Sequence, residues 1–511
     1  VGATGMASRV DTLRNKHINK IVALAKKQLT GRKAAQAELF IRDFYADVLE
    51  DDIIGTDPKD LCGAALSLMQ FGASRKPNEA IVRAYNPHPK KHGWSAPHTI
   101  IEIVNDDMPF LVDSVTMELN VSNLTVHLVI HPIFTVRRDA KGKVTALASG
   151  IREDGDTACE SYMQIQVEEQ TSPEALREIE GNIRRILGDV RLAVQDWRAM
   201  LARVLEVTEN LRKTPPPVPE EELTEALSFL EWIHDNNFTL IGCRDIDIKQ
   251  PGRKTSVAVT TKTGRGILRN DAVEVFSGLR QMGKMPPEVQ DFLQKPQPLL
   301  ITKSSLRSTV HRPAPLDAIA IKKFNKNGKV IGESVFVGLF TSTAYSMSPR
   351  RIPVLRRKVD EVLSRSGFDP RSHSGKAVMH VLDNFPRDEL LQIEPGALAE
   401  IVIGVVNLQE RQRIALFVRR DPFERFVSAF VYVPRERYNP ALRRSFETIL
   451  ASEFSGIVAQ HHAQFGDDPL GRLHFTIATR PGAIPDYDIR KIEARLKDAG
   501  RTWADRLQDC L

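Results

Sequence analysis

Ser172-Pro173-Glu174 opens an amphipathic run that holds three- and four-residue spacing for roughly ten turns. The serine suits a helix cap, the proline a first turn, and the acid the positive end of the helix dipole. Ile179, Ile183, Ile186, Val190, Ala193, Trp197, Leu201, Val204 and Leu211 form its apolar stripe, with Gly188-Asp189 as the one point where a kink is expected. Pro215-Pro216-Pro217-Val218-Pro219 then ends it with a short stiff spacer. A helix of that length does not fit inside one small core. It either spans domains or packs against a neighbouring domain or subunit, as a coiled coil does. The chain has 511 residues, beyond the size at which a single core stops growing, so several domains are expected.

The segments around this helix alternate between helical and β periodicity. Residues 1–75 read as a helical segment, with Ile18, Ile21, Val22, Ala25 and Leu29 on one face and a break at Gly31. Residues 76–170 form a β-rich unit: strands at Ala80 to Tyr85 and His98 to Val104, a helix from Phe110 to Val121, a long strand from Leu124 to Arg137, and another from Ser161 to Val167. Residues 171–236 hold the long helix, the proline linker and a further helix. Residues 237–350 form a middle α/β domain containing a hairpin turned at Asn327-Gly328. Residues 351–410 are a helical connector, and 411–511 a second unit like the first, closing with a helix from Asp488 to Leu507. The class is α+β: several domains, with antiparallel sheets joined by helical segments.

Composition removes several function classes. Hydrophobic residues make up 42% and charged residues 27%, the balance of a water-soluble chain. No apolar run approaches the roughly 18 residues of a membrane span, and Val1 to Met6 lacks the layout of a secretory signal. The net charge of +6 is small for the length, and its densest cluster, Arg350-Arg351 with Arg356-Arg357-Lys358, reads as the solvated side of a helix. Neither nucleic acid nor membrane is therefore expected as a partner. Cys62, Cys159, Cys243 and Cys510 are scattered, which suits a reducing cytoplasm and gives no zinc spacing.

No motif in the sequence completes an active site. Gly264-Arg265-Gly266 starts like a dinucleotide loop, but Arg269 stands where the third glycine belongs. Gly375-Lys376 lacks the spacing of a phosphate loop, and Ala377 replaces the hydroxyl that would reach magnesium. His127 and His131 have no acidic or cysteine partner nearby, and His461-His462 point to opposite faces of a strand. Asp106-Asp107, with Asp113 and Glu118, offer a paired-carboxylate reading, but Asp106 and Asp107 sit at a turn entering a helix, where carboxylates cap and complement the dipole. The loop Ser304 to Pro313 is the most polar, and Arg307, His311 and Arg312 in it are the candidates for an anion or interdomain contact. An ordinary polar loop is the alternative reading. No catalytic, cofactor-binding or metal residue is assigned.

Six ordered segments carry a resemblance. They are Met108 to Val115, Thr125 to Pro132, Asp189-Val190-Arg191 with Asp196-Trp197-Arg198, Arg307 to Pro313, Gly338 to Tyr345, and Leu416 to Pro422. Together they resemble the N-terminal region of the large, proteobacterial-type NAD-specific glutamate dehydrogenases, over residues 10 to 511. The resemblance implies a longer polypeptide that oxidises L-glutamate to 2-oxoglutarate and ammonia, with its NAD-binding catalytic part C-terminal to this region. NAD is then the parent enzyme's cofactor, with none held here. It also implies ACT-like modules, ferredoxin-like βαββαβ units, and Ile100 to Leu119 looks like the opening of one. Modules of that kind that bind amino acids usually carry glycine where this chain has Phe110, whose ring would fill the ligand's space. Asp421-Pro422-Phe423 lies at a hairpin turn in the second module. Regulation and assembly are the expected roles. The partners would be the catalytic region of the same polypeptide, identical subunits in a homo-oligomer, and an amino-acid effector. The alternative is a separate amino-acid-sensing ACT-type protein.

Overall fold

The computed structural model describes residues 3–150, 157–249, 256–276, 295–408, 411, 413–466, 468–480 and 483–501. The chain divides into two compact units. One comprises Val1–Trp197 with Arg265–Ile267 and Arg307–Pro315, the other Arg198–Gly264, Leu268–Leu306 and Leu316–Leu511.

In the first unit, α1 (Ala3–Gln28) and α2 (Gly31–Phe44) part at Gly31, whose φ of +58° is the left-handed conformation that glycine tolerates. α3 (Glu50–Ile54) and α4 (Pro58–Phe71) follow. Ile18, Ile21 and Val22 of α1 are buried with Phe40, Phe44 and Leu68. Phe40 stacks on Phe134 at 4.8 Å, and Tyr162 meets both rings edge-on. These helices thereby cover one face of a sheet.

That sheet contains β1 (Ile81–Tyr85), β2 (Thr99–Asp106), β3 (Val126–Ile130), β4 (Ile133–Arg138), β5 (Val144–Ser149) and β6 (Ala158–Val167). Its order is β1-β2-β6-β4-β5, with β3 also on β6. The short helix α5 (Pro89–His92) separates β1 from β2, and α6 (Leu111–Val121) separates β2 from β3. The single long strand expected from Leu124 to Arg137 is instead two, parted at His131-Pro132, because proline brings no N–H to the ladder.

The long helix, α7 (Pro173–Lys213), runs unbroken through Gly188 for 41 residues. Ile183, Ile186 and Val190 are buried in its first part, and Met200, Val204 and Leu211 in its second. Trp197, expected on the buried stripe, is 42% exposed. Its neighbour Asp196 takes the inward place, where its carboxylate accepts the Gly266 N–H at 2.7 Å.

The second unit begins with the end of α7 and α8 (Glu220–Trp232). Its first sheet contains β7 (Phe238–Lys249) and β8 (Ser256–Val259); the two-residue β9 (Arg265–Gly266) falls in the first unit. With β10 (Leu299–Arg307), β11 (Pro315–Phe324) and β12 (Val330–Phe340) the order is β10-β11-β12-β7-β8. Gly328 at φ +74° turns the expected β11–β12 hairpin. Helices Leu355–Ser366, His373–Asn384, Arg387–Gln392 and Pro395–Val406 follow, and share one apolar core with Phe229, Phe336, Phe340 and Phe430. The basic face read as solvated is not uniformly so. Lys358 turns inward and donates to the carbonyls of Leu390, Leu391 and Ile393 at 2.9, 3.0 and 2.9 Å, and burial pulls its pKa down to about 8.

The last sheet is built from β13 (Ala415–Arg420), β14 (Phe426–Pro434), β15 (Ile457–Gln464) and β16 (Leu470–Ala478) in the order β13-β14-β16-β15. Helices Pro440–Glu453 and Ile489–Ala499 pack Phe446, Leu450, Ile492 and Leu496 onto Val427, Val431 and Phe475. The part of the final helix expected beyond residue 501 lies outside the described residues.

The two ACT-like sheets share one topology. A βαββαβ unit orders its strands 4-1-3-2. Here β14, β15 and β16 take places 1, 2 and 3, and the edge place 4 is filled by β13, which precedes them. In the first unit β2, β3 with β4, and β6 take those places, and β1 fills the edge. The strand that normally closes the unit comes first in both.

Candidate functional site

The turn from β2 into α6 is where the ACT resemblance puts a ligand against backbone. Asp106 ends the strand, and Phe110 occupies the cap position of α6 with φ +72° and ψ 4°. That is the left-handed region, unfavourable for a residue with a side chain by about 1–2 kcal/mol. Phe110 thus adopts the backbone conformation expected of a glycine while carrying an aromatic side chain. The ring faces His311, centroid to centroid 5.3 Å, and His311 is itself left-handed at φ +70°. Two strained residues in contact mark a position that the surrounding structure holds in place.

The polar loop from Ser304 to Pro313 is bound to this turn. The His311 backbone N–H donates to Ser114 Oγ at 3.0 Å, and its ring Nδ1 lies 3.0 Å from Asp113 Oδ2. Thr309 Oγ1 donates to Asp189 Oδ2 at 2.9 Å; burial raises that carboxyl, partly offset by this hydrogen bond. Arg307 closes its own loop, Nη1 donating to the Pro313 carbonyl at 3.1 Å, and the Arg312 N–H donates to the Val310 carbonyl at 3.0 Å. The three candidates therefore do different things: His311 seats on the start of α6, whereas Arg307 and the Arg312 backbone shape the loop.

Asp106 does not cap the helix. It accepts Arg75 Nη2 and Arg191 Nη1, each at 2.6 Å, and Arg75 also reaches Glu160 at 2.7 Å. Arg138 completes the network on Glu160 at 2.6 Å. Burial alone would raise the Asp106 carboxyl, but the two guanidiniums bring it below its usual value. No local signal joins Arg75 or Arg191 to Asp106, since they lie 31 and 85 positions from it.

The other sequence candidates resolve into ordinary structure. Gly266 gives its N–H to Asp196, and Gly375 gives its N–H to the cap residue Ser372 at 3.0 Å. His127 stacks on His98, while His131 Nε2 lies 2.6 Å from Ser161 Oγ. His461 pairs with Glu447 at 3.1 Å, and His462 Nε2 lies 2.7 Å from Gln460 Nε2. No group of three or more His, Cys, Asp or Glu suited to a metal occurs among the described residues. No helix among them is long and apolar enough to cross a membrane.

The second unit holds a buried ionic centre that the sequence did not announce. Arg419 Nε donates to Glu389 Oε2 at 2.5 Å, and Ser428 Oγ donates to Oε1 at 2.6 Å. His474 Nε2 is 3.5 Å from the same carboxylate, its ring stacked on Phe430.

Family models match three segments: the glutamate dehydrogenase ACT1 domain over residues 40–183, helical motif 1 over 352–411, and the ACT2 domain over 415–504. The chain belongs, as a region, to the large NAD-specific glutamate dehydrogenase family. It is 34% identical over 483 residues to the NAD-specific glutamate dehydrogenase of Halomonas elongata and 34% identical over 486 residues to that of Pseudomonas aeruginosa, covering 94% of this chain in each case. The Mycobacterium tuberculosis enzyme of the same name is 28% identical over 425 residues, 80% of this chain and 25% of its own length. The chain spans about 30% of the length of the first two relatives. Within this dehydrogenase region, the β2–α6 turn lies in the ACT1 match, Glu389 in helical motif 1, and Arg419, Ser428 and His474 in ACT2.

Proposed function

We propose that this chain is a non-catalytic regulatory and assembly region of an NAD-dependent glutamate dehydrogenase, working in the cytoplasm as part of a homo-oligomer. The parent enzyme converts L-glutamate and NAD to 2-oxoglutarate, ammonia and NADH, and its NAD site belongs to the catalytic region, which is this chain's partner in the same polypeptide. The observation that carries the assembly role is the pair Phe110 and His311. At the turn that would cradle an amino acid in the ACT1 module, the module's own Phe110 ring lies against His311, and the loop is hydrogen-bonded to Ser114 and Asp113. A ligand there would have to displace the loop and relax two left-handed residues, so this module acts as a structural joint rather than as a sensor.

Calorimetry of the chain with glutamate, aspartate and arginine tests this reading. No binding is expected at the β2–α6 turn. Saturable heat that disappears in Ser114→Ala or Asp113→Asn would overturn it. Glutamate-dependent NADH production by the 511-residue chain is expected to be absent, and measurable turnover would refute the non-catalytic assignment.

A further inference from the structure

Helix His373–Asn384 presents one polar stripe at helical spacing: His373, Lys376, His380 and Asn384. The β15–β16 turn and the start of β16 face it, leaving an open cleft of about 720 Å³. Ala377, Val381, Val405 and Leu470 supply apolar lining, and Tyr432 adds an aromatic wall. Lys376 and Arg472 are the cleft's cations, with the imidazoles of His373 and His380 beside them, and Asp468 is the one carboxylate on the cleft among the described residues. Asp468 is already engaged, 3.2 Å from His380 Nε2.

Arg472 is the more buried of the two cations. Its Nη1 donates to the Asn384 carbonyl at 2.8 Å, its Nη2 donates to Gln464, and it hydrogen-bonds Tyr432. No carboxylate among the described residues pairs with it. Burial pulls its pKa below the usual value, and Tyr432 offsets this only in part. A desolvated guanidinium held only by neutral acceptors is an unfavourable arrangement that an incoming anion would relieve. Lys376 likewise has no ion-pair partner among the described residues, and stands one helical turn, about 6 Å of rise, before His380.

We propose that this cleft binds a small organic dianion, a dicarboxylate on a short apolar stem. One carboxylate lies at the Arg472–His380 end, the other at Lys376 and His373, and the stem rests against Val381, Val405 and Leu470. Apolar lining between the Lys376 ammonium and the Arg472 guanidinium favours a diacid on a short stem over an inorganic anion. Such binding does not depend on the chain's being part of a dehydrogenase.

Isothermal titration of the whole chain with succinate tests this, with butyrate and inorganic phosphate as comparison ligands. Saturable succinate binding is expected, with butyrate and phosphate each at least tenfold weaker. Lys376→Glu and His380→Gln change exposed side chains and should each weaken succinate at least tenfold while leaving the circular dichroism unchanged. Arg472→Gln should abolish binding; if it disturbs the fold, the two exposed variants decide. Absence of saturable heat with succinate would overturn the assignment. So would binding that survives the Lys376→Glu/His380→Gln double variant, or equal affinity for phosphate.

Discussion

Replacing Glu389 by glutamine removes one charge from the most deeply buried ion pair between the helical motif and the ACT2 sheet. The Glu389 and Arg419 side chains are only 4% and 6% exposed, so solvent cannot take over the lost interaction. Burial alone would raise the Glu389 carboxyl; Arg419, and then His474, instead hold it far below the carboxylate range. Arg419 Nη2 already lacks an acceptor, so the glutamine variant leaves a buried guanidinium without its counter-ion. Breaking such a pair from one side costs about 3–5 kcal/mol. At about 1.4 kcal/mol per factor of ten, that is roughly a hundredfold or more in local opening.

Hydrogen exchange is the suitable readout, because a chain of several domains has no single unfolding free energy. Amides of β13, β14 and Arg387–Gln392 should exchange faster in Glu389→Gln by that factor, while those of α1 and α2 stay unchanged. Replacing both partners, Glu389→Leu with Arg419→Met, should recover most of the loss, since the costly species is the unpaired charge and not the absent bridge. The sign with pH follows from a depressed acid. Its stabilisation is complete above the unfolded carboxylate value, about 4.3, and is lost as pH falls through the lower folded value. Glu389→Gln within about 1 kcal/mol of the parent chain, or a double variant no better than the single one, would refute this reasoning.

Three further outcomes follow from particular backbone and charge positions. Phe110→Ala should be less stable than Phe110→Gly by about 1 kcal/mol, because both lose the ring but only glycine is at ease at φ +72°; equal urea midpoints would contradict this. Gly142→Ala should cost more than about 2 kcal/mol, since φ is +79° and a Cβ would collide with the Arg75 carbonyl oxygen; an unchanged midpoint would refute it. Asp106→Asn should destabilise the first unit most at neutral pH. The gap should close as pH falls below the carboxylate range, because this acid too is depressed by its arginines. A pH-independent gap would show that those guanidiniums do not hold the charge.

The elements legible in the sequence were those written locally. Ser172-Pro173, the stripe from Ile179 to Leu211, the break at Gly31 and the turn at Asn327-Gly328 each specify backbone within a few residues, and the helix, the break and the hairpin are there. The misreadings came where a tertiary partner overrode the local pattern. Trp197 yielded the buried face to Asp196 because Gly266 offers it an N–H, and Lys358 turned inward because three carbonyls at Leu390, Leu391 and Ile393 accept it. Asp106 read as a cap because its guanidinium partners are remote in sequence. At the candidate turn, the presence of Phe110 was readable. Its left-handed backbone and its neighbour His311 were not, since nothing local announces that a loop about 200 residues away will lie against it.

The early placement of the edge strand in both ACT-like sheets bears on how they form. In a βαββαβ unit the first and last strands pair, so the sheet's outer ladder must close a loop around the whole module. Here β13 pairs with β14 across a short turn, and β1 with β2 across α5. The most distant pairing has been exchanged for a nearly local one, which lowers contact order and lets that ladder zip early in folding. The exchange also changes what comes out of the module. In the first module the last element is a helix that no further strand of that sheet follows among the described residues, so it continues as α7 for 41 residues and its second part enters the core of Phe229 and Phe336.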